Sequence, residues 1–112
     1  MNDAKLVIAI VQDKDVGRLL DALIRKHYRA TKLSSTGGFL RNGNTTLLIG
    51  VEESRVQDVL DVIKSTCRSR KEYVTPLPPA GGPAESYVPF PVEVVLGGAT
   101  IFVLDVERME KI

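Results

Sequence analysis

Between residues 27 and 46 the chain carries side chains suited to holding a phosphorylated base: Arg29 and Thr31, then Gly37, Gly38, Phe39 and Leu40, then Asn44. Arginine presents a planar fork of donors that matches phosphate. Adjacent glycines let backbone N–H groups come close to an anion, because no Cβ intervenes. An aromatic ring such as Phe39 can stack on a base, worth about 1–3 kcal/mol in single-strand binders. Asparagine offers a donor and an acceptor that match the adenine edge. Each residue also has a plainer use. Gly37-Gly38 can be a β-bulge, Asn42-Gly43-Asn44 a turn, Arg29 a surface charge and Phe39 the filling of a subunit contact. Taken singly, the plainer use is the better reading of each. Gathered in one hairpin, the set favours a ligand site.

Other chemistries find little support. The one histidine, His27, has no serine or cysteine partner at a telling spacing and reads as the end of a helix. The one cysteine, Cys67, leaves no internal disulfide and no zinc cluster. Neither GxxxxGK[ST] nor GxGxxG occurs. We therefore expect no catalytic residue, no metal and no cofactor. Lys plus Arg number 15 against 14 for Asp plus Glu, which argues against a binder of nucleic-acid polymers. The aliphatic run from Leu6 to Val11 is too short to span a membrane or to serve as a leader, so a cytoplasmic protein is expected.

These residues need a frame. The 112 residues suit one domain, with one modest core. Leu6–Val11 is β-branched and continuous, as in a central strand buried on both faces. Val16, Leu19, Leu20, Leu23 and Ile24 then fall on one face of a helix over residues 13–26, with Asp13 able to cap it. Residues 28–33 and 45–51 read as strands joined by a short loop at about 36–44, since Asn42-Gly43 is a turn dipeptide. Ser54 and Gln57 have capping-box spacing ahead of a second helix whose apolar face is Val56, Val59, Leu60, Ile63 and Cys67. All six prolines lie in residues 68–91, which read as one long irregular loop. Strands at 92–96 and 100–106 flank Gly97-Gly98 as a tight hairpin, and residues 107–112 form a tail. The order is that of an α+β, ferredoxin-like βαββαβ domain, an antiparallel sheet with both helices on one face. Its other face is aliphatic, and a homo-oligomer is expected to cover it.

Whole segments resemble a known family. YRATKLSSTGGFLRNGNTTLLIGV at 28–51, IAIVQDKD at 8–15, GGPAESYVPFPVEV at 81–94 and GGATIFVL at 97–104 are similar to the cyclic di-AMP receptors, the PII-like signalling proteins. The resemblance runs from residue 6 to residue 106. It implies a homotrimer that is a sensor and not an enzyme, with cyclic di-AMP in clefts between subunits. The mechanism we expect is local: ligand bridges two subunits, orders residues 36–44 and 68–91 and so changes the surface offered to a downstream protein that the sequence does not name.

Carried over by residue, the resemblance places Arg29, Ala30 and Thr31 by a phosphate and a base. Gly38, Phe39 and Leu40, with Gly37 before them, shape the base pocket, and Asn44 reads adenine. Gly50 lies beside the ligand, and Phe102 is the wall from the neighbouring subunit. His27 stands at a ligand-contacting position where many members have asparagine, which would add sensitivity to pH. The tail RMEKI lacks the glutamine and aromatics common there. Two other readings use the same residues. A sensor of ATP or ADP would share Arg29 and Asn44, although no basic cluster awaits a triphosphate. An acylphosphatase-like hydrolase also needs one Arg and one Asn, but Arg29 follows the first helix and not the first strand. A domain that only grips protein fits less well, because 36–46 is polar and glycine-rich.

Overall fold

A computed structural model describes residues 3–33, 43–75 and 90–112. The elements run β1 (Ala4–Gln12), α1 (Asp13–Arg25), β2 (Ala30–Leu33), β3 (Asn44–Glu52), α2 (Glu53–Cys67), β4 (Arg70–Val74), β5 (Val92–Leu96) and β6 (Ala99–Asp105). A four-stranded antiparallel sheet has the order β2-β3-β1-β6. This is the expected ferredoxin-like fold, with β6 as its fourth strand and the long aliphatic strand β1 inside the sheet.

The period-2 alternation of β1 and β3 sorts their side chains. Val7, Ala9, Val11, Leu47 and Ile49 face the helices and are buried. They pack against Leu19 and Leu23 of α1 and Val59, Val62, Ile63 and Cys67 of α2. Leu6, Ile8, Ile10 and Leu48 alternate with them and are only half-buried. The expectation that β1 is buried on both faces is therefore met on one face only. Among the described residues no helix covers the second face. Ile24, placed on the core face of α1 by its spacing, is instead 65% exposed, and Val62, missed by that count, is buried.

Cys67 closes the apolar face of α2, as its spacing predicts. Burial, and then the charge of Asp15, push its thiol up to about 11. Only the thiolate is nucleophilic. At pH 8, Cys67 in native protein is expected to react with Ellman's reagent at least about a hundredfold more slowly than in urea-unfolded protein. Equal rates would contradict this burial.

Residues 68–91 depart from the expected single loop. Arg70–Val74 forms β4 and pairs with β5 in a separate two-stranded ribbon, Arg70 opposite Leu96 and Val74 opposite Val92. The hairpin expected between 92–96 and 100–106 is not made. Gly97 and Gly98 do turn the chain, with φ of 81° and 92°, but β5 goes to the ribbon and β6 to β1. Gly98 N–H donates to the Cys67 carbonyl, and Gly97 N–H donates to Gln12 Oε1 at 2.7 Å. A Cβ on Gly97 would stand 2.5 Å from the Arg68 carbonyl oxygen, so the crossing of the two chain segments requires glycine.

Both helix starts differ from the expected caps. Gln12 is the N-cap of α1, and Asp13 Oδ1 accepts instead from Thr45 Oγ1 at 2.5 Å. Ser54 is not the N-cap of α2. The N-cap is Glu52, two residues earlier, and Glu53 N–H donates to the Asp3 carbonyl at 2.8 Å.

Candidate functional site

The site is assembled by the end of α1, the start of β2 and the end of β3. Lys26 ends α1, and His27 follows at φ 65°. His27 N–H donates to the Ile24 carbonyl and Tyr28 N–H to the Leu23 carbonyl, both at 2.9 Å. This is a Schellman stop, completed by Tyr28 and Leu23 together in the core. Glycine normally takes the left-handed position, where other residues bear about 1–2 kcal/mol of strain. His27→Gly is therefore expected to stabilise the fold by about 0.5–1 kcal/mol after glycine's larger chain entropy is deducted, read from urea unfolding. A loss of stability would show that the imidazole makes a contact of its own.

The turn delivers Tyr28 inward and Arg29 outward. Tyr28 is 4% exposed, and its hydroxyl donates to Asp58 Oδ2 at 2.5 Å. That bond, then burial, hold its pKa above the ordinary tyrosine value. Lys26 Nζ reaches Asp58 Oδ1 at 2.8 Å, and this bond, followed by the one from Tyr28, keeps the Asp58 carboxyl below its usual range. The Arg55 guanidinium lies over the Tyr28 ring, 4.6 Å from its centre.

The β2–β3 register sets Ala30 opposite Ile49 and so brings Arg29 to the level of Gly50. His27, Tyr28, Arg29, Gly50, Glu52 and Arg55 then line one open cleft of about 310 Å³. A Cβ on Gly50 would meet nothing within 4 Å, so the glycine leaves bare floor. A second open cleft of about 490 Å³ shares Gly50 and Glu52 and continues to Lys5, Val106 and Met109. Met109 of the tail thus reaches the neighbourhood of Gly50.

The structure joins some of the predicted residues and parts others. His27, Arg29 and Gly50 share the cleft. Thr31 is exposed on the uncovered face, in a row with Leu48, Ile8 and Phe102 across the sheet. Ala30 points to the other side and packs against the core, so only its backbone faces the cleft's surroundings. Asn44 opens β3 opposite Gln12, six residues before Gly50 and so about 20 Å along the strand. A third cleft of about 260 Å³, lined by Gln12, Asp13, Lys14 and Gly43 with Val95 and Leu96 of the ribbon, lies at that end. Phe102, 51% exposed, is on β6, three strand spacings or about 14 Å from β2. Gly37, Gly38, Phe39 and Leu40 lie outside the described residues.

Sequence reasoning missed Arg55, Tyr28 and Glu52. Tyr28 and Arg55 are 27 positions apart, and no short motif joins them. Among the described residues no group of three or more His, Cys, Asp or Glu could hold a metal ion, and no helix is long and apolar enough to cross a membrane.

Comparison with known proteins accords with this geometry. A functionally unknown protein from Pediococcus pentosaceus has a crystal structure with a TM-score of 0.79 to this chain, at 47% identity over 100% of both chains. PII of Arabidopsis thaliana, solved with citrate, matches at 0.56 and 18% identity over 94% of this chain and 78% of its own. A Shewanella baltica protein matches at 0.57 and 13% identity, over 100% and 99%. The last two speak for the fold alone. The family model described as cyclic-di-AMP receptor matches residues 4–112. With that match over nearly its whole length, the chain belongs to the cyclic-di-AMP receptor family.

Proposed function

We propose that the protein is a cytoplasmic signalling receptor, without catalysis, that binds cyclic di-AMP between the subunits of a homotrimer. Bound ligand changes the surface that residues 36–44 and 68–91 present to a protein partner. The observation that carries this reading is the separation of Phe102 from Arg29, Thr31 and Gly50. Thr31 on β2 and Phe102 on β6 belong to opposite edges of one sheet, about 14 Å apart, with Gly50 on β3 between them. One chain does not close a pocket with both. A second chain set edge to edge does, and the half-buried Leu6, Ile8, Ile10 and Leu48 give it an apolar surface to cover. The two phosphates and two adenines of the ligand suit Arg29 at one end of β3 and Asn44 at the other.

Calorimetric titration with cyclic di-AMP, with cyclic di-GMP and ATP as controls, tests the reading. Saturation near one ligand per chain, selective for cyclic di-AMP, with a trimer in sedimentation, is expected. A flat titration with folded trimer refutes the receptor, and tighter binding of ATP replaces it with an adenine-nucleotide sensor.

A further inference from the structure

Arg29 is not the only guanidinium at the Gly50 cleft. Arg55, from the first turn of α2, lines it as well. Its position is built from below. Tyr28 is buried, closes the Schellman stop and is tied by its hydroxyl to Asp58. The ring is therefore a fixed platform, and Arg55 rests on its face at 4.6 Å. The ring holds the guanidinium at the cleft, where its fork of N–H donors can meet a ligand. Neither Arg29 nor Arg55 is in an ion pair with a described carboxylate. Glu52 shares the cleft, so the two arginines leave an excess of one positive charge there. An aromatic-seated arginine beside a second arginine, above a side-chain-free glycine, suits a phosphate better than a neutral group.

We propose that Arg55 is a specificity-determining residue that grips, together with Arg29, a phosphodiester group of the bound dinucleotide. The assignment rests on the receptor reading for the identity of the ligand, but not for the class of group held. Arg55 is exposed, so Arg55→Gln is compatible with a folded chain.

The test has two arms. In the first, cyclic di-AMP is titrated into wild type, Arg55→Gln and Arg55→Lys at low and high salt. Arg55→Gln is expected to weaken binding about tenfold to a hundredfold and to flatten its salt dependence. Arg55→Lys, which keeps the charge but loses the fork, is expected to fall between. Affinity of Arg55→Gln within twofold of wild type, with unchanged salt dependence, overturns the proposal. In the second arm, the arginine Nε–H resonances of wild type are followed by NMR during titration with inorganic pyrophosphate, Arg55 being assigned from the Arg55→Lys spectrum. A saturable shift of the Arg55 signal is expected, and its absence overturns the proposal. If wild type ignores cyclic di-AMP, the receptor reading fails, and the pyrophosphate arm alone decides whether Arg55 holds phosphate.

Discussion

Arg70→Leu is expected to destabilise the fold by about 2–3 kcal/mol, measured by urea unfolding at pH 7. Asp15, in the first turn of α1, is fully buried. Its Oδ1 accepts from Arg18 Nη2 at 2.7 Å and from Arg70 Nη2 at 3.1 Å. Removing one partner of a buried pair costs about 3–5 kcal/mol, because the other charge is left desolvated. Arg18 remains and reduces that figure, although its side chain is 62% exposed and holds the carboxylate loosely. The double variant Asp15→Leu with Arg70→Leu is expected to regain most of the loss, since no charge is then stranded. A single variant as stable as wild type would sink this account.

The same pair sets a pH signature. Burial pushes the Asp15 pKa up, but hydrogen bonds from Arg70 and Arg18, with their charges, outweigh it and leave the carboxyl below its ordinary value. A pKa lower in the folded than in the unfolded state gives stability that is present above about pH 4 and is lost as pH falls through the folded value. In Arg70→Leu the opposing bonds are halved and burial gains. The acid-side loss of stability is expected to shrink or reverse in the variant. An identical pH profile in both chains would mean that Arg70 does not govern Asp15.

Arg29→Gln is expected to weaken cyclic di-AMP binding by about a hundredfold while leaving the unfolding midpoint within about 1 °C. The arginine is exposed, one residue before β2, so nothing in the core depends on its charge. A ligand phosphate between subunits would be largely cut off from water, where a lost charged donor leaves an unpaired anion. Lys32→Gln, three residues on and also exposed, is the control, expected to change affinity less than twofold. Calorimetry on the three chains decides. Equal affinities for Arg29→Gln and wild type would remove Arg29 from the site.

Periodicity was enough to read the helices and the four sheet strands, because burial against one layer leaves a 3.6 or 2.0 repeat. It failed for β4. Arg70-Lys-Glu-Tyr-Val has no apolar alternation, and its strand form comes from pairing with β5 and not from a face of its own. Gly97-Gly98 announced a turn but not its partners, which depend on where two chain segments cross. Ser54 lost the capping role because the Asp3 carbonyl, fifty positions away, captures the Glu53 N–H first. The site shows the same division. Arg29 and Asn44 carry recognisable chemistry, but only Arg29 lines the Gly50 cleft, and Asn44 lies at the far end of β3. Arg55 enters only through the β2–β3 register and the Tyr28 platform, and neither is written in a local stretch.

The strand order carries a consequence for how the chain folds. β1 is made first, yet it lies between β3 and β6, and Lys5 pairs with Asp105 across one hundred positions. β1, α1, β2, β3 and α2 can collapse as a three-stranded unit during synthesis, but the open flank of β1 waits for the last strand. Until residue 105 arrives, that flank offers bare backbone to any neighbouring chain. Long-range pairing of this kind belongs to folding in milliseconds to seconds, roughly, and not microseconds. The end of the chain therefore completes the sheet that its beginning started, and truncations before β6 should yield aggregates and not smaller folded domains.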